Sequence, residues 1–521
     1  MNLLRATATI GGLTLVSRIA GFVRDILQAN VLGAGMAADA FLIAQRLPNL
    51  FRALFAEGAF ASAFVPMFNR RVGADGGQLD GARAFAESVL AVLMLVLLAF
   101  TVLMVIAAGP IVLALTGGFP DAGPDKFALT VHLTRLTFPY LLLISLTSLL
   151  GGLLNSIGRF AVNAAAPILL NLVLIAGLLW SNGSPDAQVA QVQALCVTLG
   201  GIVQLAWLQW SCTRAGLGLR LRAPRLTPEV RQLLRLILPA ALGAGAVQIN
   251  LVISTALAAR FLGEGAVSWL YYADRLNQLP LGIIGIGVGT ALLPGMSRLI
   301  GAGDAEGASA QQNRGIELVL LLTLPAAAAL AVLAVPIIDV LFRHGAFTWA
   351  DTRATAAALA GFALGLPAYV LIKVLTPGFH ARGDTQTPVR VALGAMLVNL
   401  VGNLILIWPF RHVGIALGTA LAAWVNVGVL WWLLRQRGHF AADARLRRAL
   451  PRFGLATLAM LAVLAAAHMC LTIIMEPVSF LERSIVLALL LAVGGLAYLA
   501  AARALGLFTI AGLKAQLKRK T

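Results

Sequence analysis

Charged side chains are scarce in this chain, and the ones that could do chemistry stand inside apolar surroundings. The stretch 17–71 holds Arg18, Arg24, Asp25, Asp39, Arg46, Arg52 and Glu57 among Leu, Ala, Val and Gly. Charges at membrane depth cost about 2.5–3.5 kcal/mol each on insertion scales, so seven facing lipid would cost on the order of 20 kcal/mol. They must face protein, water or one another. Spacing adds detail. Arg18 and Asp25 lie seven residues apart, nearly on one helix face, as do Asp39 and Arg46. Asn49 and Arg52 share a face at i, i+3, just beyond Pro48. Further along stand Asp274 and Arg275, and then Lys373.

Two chemistries fit such residues. Asp25 with Arg24, Asp39 with Arg46, and Asp274 with Arg275 could be structural ion pairs that hold helices together. The arginines nevertheless outnumber the acids within reach. An unpaired buried guanidinium costs several kcal/mol, which a hydrated cavity or an anionic ligand would relieve. A hydrated cavity or an anionic ligand is therefore the better account of the set, and arginine is also suited to bidentate recognition of phosphate. Asn155, Asn171, Asn250 and Asn399 read as interhelical hydrogen-bond formers.

Other chemistries lack their residues. There is no nucleotide-binding glycine loop ending in Lys-Ser or Lys-Thr, and the six histidines are scattered. Cys196, Cys212 and Cys470 have no metal-ligand spacing and read as core residues. No metal, cofactor or catalytic group is expected, nor a cleavable signal peptide.

The elements that must position these residues are membrane helices. The 521 residues are 60% hydrophobic and 12% charged, with mean hydropathy +0.90, whereas soluble domains carry about 25% charged residues. A helix needs about 20 apolar residues to cross the hydrocarbon core. Runs of that kind fall at about 8–31, 37–68, 84–115, 127–153, 161–181, 189–212, 232–261, 267–298, 315–342, 352–376, 388–409, 413–435, 453–475 and 483–505. Kinks are expected at Pro48, Pro66, Pro139, Pro294 and Pro367. Alternate connections are rich in arginine, and the intervening ones are thin, with Lys126, Arg343, Arg411 and Arg483 as their main cations. About fourteen spans with both termini cytoplasmic fit that asymmetry. The net charge of +18 follows from topology and lipid headgroups; no nucleic-acid partner is expected.

The chain also repeats itself. RLPNLFRALFAEGAFASAFVPMFNR from Arg46 aligns with RLNQLPLGIIGIGVGTALLPGMSR from Arg275. Pro66, Pro139 and Asn171 fall on Pro294, Pro367 and Asn399 at one offset of 228 residues. Six spans per copy keep both copies in one orientation, a parallel repeat of the kind common in transporters. The expected fold is an all-α integral membrane protein of two six-helix lobes plus two C-terminal helices. The expected division is an N-terminal lobe over 1–213, a basic cytoplasmic linker over 214–231, and a C-terminal lobe over 232–437. The last two spans and a basic tail would occupy 438–521.

SRIAGFVRD, ADAFLIAQRLPNLFRALFAEGAFASAFVP, WLYYADRLNQLPLGIIGIGVGTALLP, LFRHGAFT and KVLTPGFHARGDTQTP closely resemble the MurJ (MviN) family. These are lipid II flippases of bacterial peptidoglycan synthesis, within the multidrug and oligosaccharidyl-lipid exporter superfamily. The resemblance runs from Met1 through at least Arg437. It implies a cationic central cavity, alternating access, and export of undecaprenyl-pyrophosphate-linked disaccharide-pentapeptide across the inner membrane. By matched position it implies substrate-binding residues Arg18, Arg24, Asp25, Asp39, Asn49, Arg52 and Arg275, with Arg46, Glu57 and Lys373 as further cavity positions. It also implies that the last two helices form a groove for the polyprenyl tail, and it brings membrane lipids and the cell-wall synthesis machinery in as partners. Some relatives carry Glu where this chain has Gln278, and a second Arg at Ala53, so neither position receives a role. A drug exporter of the same fold group should have an acidic or aromatic cavity, against which the arginine excess argues. An exporter of another polyprenyl-linked oligosaccharide stays open as the alternative. A membrane glycosyltransferase should have an acidic or His-bearing loop, and no such loop is present.

Overall fold

Long Leu/Ala-rich runs satisfy every backbone polar group internally only as helices, and helices are the only regular elements among the described residues. The computed structural model describes residues 3–55, 59–74, 80–120, 123–475 and 479–507, apart from some side chains within 3–8, 53–74, 238–249, 286–291 and 472–475. The helices are α1 (Leu3–Leu32), α2 (Met36–Phe55), α3 (Ala59–Ala74), α4 (Asp80–Ile106), α5 (Ala108–Thr116) and α6 (Gly123–Thr137). Next come α7 (Pro139–Ser156), α8 (Phe160–Trp180), α9 (Asp186–Arg214), α10 (Pro228–Phe261), α11 (Ala266–Gly301) and α12 (Ala305–Val332). The last are α13 (Ala334–Phe342), α14 (Trp349–Ala363), α15 (Leu366–His380), α16 (Gln386–Gln436), α17 (Ala444–Met475) and α18 (Phe480–Ala504).

Ten helical stretches among the described residues are long and apolar enough to cross a membrane. The protein is therefore a multi-pass membrane protein. Two of the ten are jointed: α6 with α7, and α14 with α15. α16 covers two of the expected runs, and its helical backbone breaks at Arg411 (φ 50°, ψ −128°). The ten stretches do not by themselves establish the expected count of fourteen.

Prolines act in two ways. Pro139 and Pro367 sit at the first turn of α7 and α15, where no donor is lost. Pro48, Pro66 and Pro294 lie inside α2, α3 and α11, and interior prolines leave the carbonyl four residues back without its partner. At Pro48 that carbonyl belongs to Ala44, and the Thr137 hydroxyl donates to it at 3.1 Å. At Pro325 in α12 it belongs to Leu321, and the Tyr498 hydroxyl of α18 donates to it at 2.6 Å. In both places a neighbouring helix supplies the missing donor.

The chain divides into two compact units: Met1–Ser268 with His344–Phe347, and Trp269–Arg343 with Thr348–Thr521. The short 344–347 segment belongs to the first because the Ala346 amide donates to the Asn30 carbonyl at 2.7 Å. Gly33 makes that approach possible: its φ is +65°, and a Cβ there would lie 2.8 Å from the Ala346 carbonyl oxygen. In the first unit, Phe64 stacks on Phe60, Phe68 and Phe85 with centroids 5.3–5.8 Å apart, inside a core shared with Leu149 and Leu153. In the second, Val374, Phe379, Leu434 and Phe453 are buried in one cluster. Cys196 and Cys212 are buried as expected; Cys470 is exposed, contrary to the expectation of a core residue.

Candidate functional site

The first unit carries most of the candidate residues, and burial sorts them. Arg18, on α1, is exposed. Two turns on, Arg24 and Asp25 are both buried, and a guanidinium nitrogen lies 2.6 Å from the carboxylate. Arg24 also donates to the Asn171 side-chain oxygen on α8 at 3.0 Å, and Asn171 donates to the Ser17 carbonyl at 3.2 Å. Asn171 is thus an interhelical hydrogen-bond former, and its partner is one of the candidate cations. Arg24 is accordingly not one of a surplus of unpaired arginines. An arriving anion would have to share it with Asp25, which lowers the cost of keeping the charge at depth while no anion is bound.

Asp39 departs from the expected pairing. It is fully buried, and its carboxylate accepts from Lys126 Nζ at 2.8 Å rather than from Arg46. It also accepts from the Gly265 and Ser268 amides at 2.9 Å each and from the Ser268 hydroxyl at 2.7 Å. Those amides open α11, so the carboxylate satisfies donors that have no partner within the helix and sits at the positive end of its dipole. Lys126 is itself 2% exposed. Position in the chain had placed it among the cations of the connections, but it is a buried counter-ion. Only the second cation's sequence distance, 87 residues, hid the pair.

Arg46 instead donates to the Thr255 hydroxyl on α10 at 3.2 Å. The two line a small cavity of about 10 Å³ with Thr116 and apolar side chains, room for about one water. Asn49 and Arg52 meet as their spacing predicted, Nε to the side-chain oxygen at 3.3 Å. Glu57 lies outside the described residues.

In the second unit Arg275 lies 4.9 Å over the Tyr271 ring and donates to its hydroxyl at 2.9 Å. Its neighbour Asp274 accepts from Gln278 at 2.5 Å. Lys373 is exposed on α15 and lies along α11. A Cβ at Gly285 would come within 2.9 Å of the lysine's stem, so glycine there gives the lysine its space. Asn399 donates to Thr419 at 3.1 Å and accepts from Asn403 at 3.0 Å, joining the two halves of α16. No group of three or more His, Cys, Asp or Glu suited to a metal ion occurs among the described residues.

A separate apolar cavity of about 270 Å³ lies between α12, α17 and α18, lined by Pro325, Leu333, Leu464, Leu490, Gly494 and Tyr498 among others. The proline-freed carbonyl of Leu321 and its Tyr498 partner brace the α12–α18 contact beside this cavity.

These arrangements can be set beside known proteins. A family model described as "Lipid II flippase MurJ" matches residues 28–509. The chain belongs to the MurJ family. It is 42% identical over its full length to a probable lipid II flippase MurJ of Rhizobium tropici and 43% identical to one of Rhizobium meliloti, covering 97% of each relative. A solved structure titled "Lipid II flippase MurJ, inward closed conformation" aligns with a TM-score of 0.76 at 25% identity, over 95% of this chain and 97% of that one. An inward-facing MATE multidrug transporter of the MOP superfamily aligns with a TM-score of 0.69 at 16% identity, over 82% of this chain and 97% of that one. That second likeness is one of fold alone. The MurJ likeness extends over nearly the whole chain.

Proposed function

We propose that this chain moves lipid II across the bacterial cytoplasmic membrane, from inner to outer leaflet, by alternating access and without chemical conversion of the lipid. The observation that carries the reading is identity of 42–43%, end to end, with relatives named as probable lipid II flippases. The site residues fit the cargo. A pyrophosphate brings about two negative charges to membrane depth, where guanidinium groups offer charge-assisted, bidentate hydrogen bonds. Arg18 is exposed and can offer donors, and Arg52 is oriented by the neutral Asn49, to which its Nε donates at 3.3 Å. Arg24 brings a positive charge held ready by Asp25, and Arg275 is oriented by Tyr271.

The roles divide accordingly. Arg18, Arg24, Arg52 and Arg275 bind the pyrophosphate; Asp25 and Asn49 orient Arg24 and Arg52. Asp39 acts through the start of α11, whose amides it holds. Arg46 and Lys373 are further polar positions for the hydrated headgroup. The apolar cavity between α12, α17 and α18 accepts part of the polyprenyl tail. Both termini lie in the cytoplasm, where the arginine-rich connections belong. The domain division is a first lobe to residue 213, the basic linker to 231, a second lobe to 437, and the two last spans beyond it.

The test is lipid II translocation by Arg24→Ala and Arg275→Ala at wild-type expression. Loss of flipping in either supports the site, and unchanged flipping in both would sink it.

A further inference from the structure

Two buried glutamates take no part in the site above, and they occupy matching places in the two repeats. Glu87 on α4 and Glu317 on α12 lie 230 residues apart, within two of the repeat offset. Each is almost wholly buried, Glu87 at 1% and Glu317 at 9% exposure. Each also binds arginine from the segment that follows the sixth span of its own repeat.

In the first unit that segment is 215–227, which has no helix. One Glu87 oxygen accepts from Arg83 Nε at 3.2 Å and from the Arg220 amide at 3.0 Å, and the other lies 2.5 Å from Arg222 Nε. Leu217 and Leu219 anchor the same segment in the Phe64 core. In the second unit the segment is 437–443 with the start of α17. Glu317 pairs with Arg314 and, at 3.2 Å, with Arg445; Arg314 also pairs with Asp443. Leu446 is the buried anchor there, and Asn313 donates to the Ala441 carbonyl at 2.9 Å. Both segments are therefore strapped to the third span of their repeat.

Their outer faces are alike as well. Residues 214–231 hold five arginines and one acid, and residues 437–452 hold five arginines and one acid. On the first strap Arg220, Arg225, Leu221 and Leu226 are exposed, the two leucines at 66% and 61%. On the second, Arg447, Arg448 and Leu450 are exposed. Exposed leucine between arginine stems is costly in water and favourable at a lipid surface, where stems lie along acyl chains and guanidinium groups reach phosphates; Arg447 keeps one donor on the Ala442 carbonyl, at 2.9 Å. Each strap also adjoins the end of a membrane-spanning helix, which holds it at headgroup level.

We propose that the two straps are binding sites for anionic phospholipid headgroups of the cytoplasmic leaflet, each held in place by the buried glutamate of its repeat. Glu87 and Glu317 pair with Arg222 and Arg445 and fix the chain, so that the other exposed arginines and the leucines are presented to the membrane. This goes beyond transport of the cargo: the ligand is a bulk acidic lipid, and its site is outside the candidate substrate residues.

The test uses the full-length protein in detergent, titrated with dioleoylphosphatidylglycerol or dioleoylphosphatidylcholine and read by native mass spectrometry. Each basic residue near an anionic surface is worth about fivefold in binding. The variant Arg220→Gln/Arg225→Gln/Arg447→Gln/Arg448→Gln, all exposed positions, should bind phosphatidylglycerol more than tenfold more weakly, with an unchanged melting temperature before lipid is added. Phosphatidylcholine binding should not change. Unaltered phosphatidylglycerol affinity would overturn the proposal, as would full competition by 10 mM inorganic phosphate, which would make the site one for free anions. For the clamp, a spin label at Leu221→Cys in a background lacking the native cysteines should be shielded from a water-soluble nickel complex in phosphatidylglycerol vesicles. Glu87→Gln should expose it; persistent shielding would overturn the role given to Glu87.

Discussion

Replacing Lys126 with methionine keeps the length of the side chain and removes its charge. In the folded protein that leaves the Asp39 carboxylate buried with three donors, the Gly265 and Ser268 amides and the Ser268 hydroxyl, and without a counter-ion. Breaking a buried ion pair from one side costs about 3–5 kcal/mol. The three remaining hydrogen bonds are charge-assisted, and such bonds contribute about 1.5–3 kcal/mol each, so the lower end of that range applies. We expect a loss of about 3 kcal/mol for Lys126→Met. Asp39→Asn should cost a similar amount, since it strands the ammonium. The double variant removes both charges and should lose much less than the two singles together, a coupling of at least 1.5 kcal/mol. The assay is reversible unfolding in mixed micelles, followed by the fluorescence of native tryptophans, for the wild type, both single variants and the double. Distant, independent sites add within about 0.5 kcal/mol; additivity at that level would refute the pairing of Asp39 with Lys126.

Tyr498→Phe should destabilise the protein by about 1 kcal/mol, the net worth of one hydrogen bond, by stranding the Leu321 carbonyl. Pro325→Ala should abolish that penalty, because an amide at 325 restores the bond within α12; equal Tyr498→Phe effects in both backgrounds would contradict the account. Gly33→Ala should cost about 1–2 kcal/mol through its left-handed backbone and the approach of Ala346, measured by the same unfolding. In the loop after α15, the Thr387 side chain and amide and the Arg437 guanidinium hold the Asp384 carboxyl well below the usual carboxylate range. A carboxyl so lowered contributes stability above its unfolded value of about 3.9 and loses it as pH falls through its folded value. Asp384→Asn should therefore flatten the acid limb of the melting-temperature profile below about pH 4 and lower stability at neutral pH; an unchanged acid limb would count against the interaction.

Much of the helical pattern was open to reading because hydrophobic runs and prolines act locally. The expected joint between residues 409 and 413 falls at Arg411, and Pro139 and Pro367 begin helices. The Asn49–Arg52 and Arg24–Asp25 contacts were also legible, since helical spacing or adjacency decides them. Partners chosen by tertiary packing were not. Asp39 shares a helix face with Arg46, yet the cation that reaches it comes from α6. Thr137 and Tyr498 mark nothing in sequence, because a hydroxyl gains its role only when packing carries it to a carbonyl that a distant proline has freed. Glu87 and Glu317 did leave a signal: each follows an arginine at i−4 or i−3 on the third span of its repeat. Comparing the two repeats for charge as well as for proline and asparagine would have found them.

In the proposed mechanism, a set of arginines carries the pyrophosphate of lipid II. The most direct measurement of this is flipping of lipid II in proteoliposomes by the wild type, Arg24→Ala, Arg24→Lys and Arg275→Ala at matched reconstitution. The account predicts that both alanine variants lose most transport and that Arg24→Lys recovers only part of it, because lysine keeps the charge without the bidentate fork. Wild-type flipping by Arg24→Ala and Arg275→Ala together would contradict it.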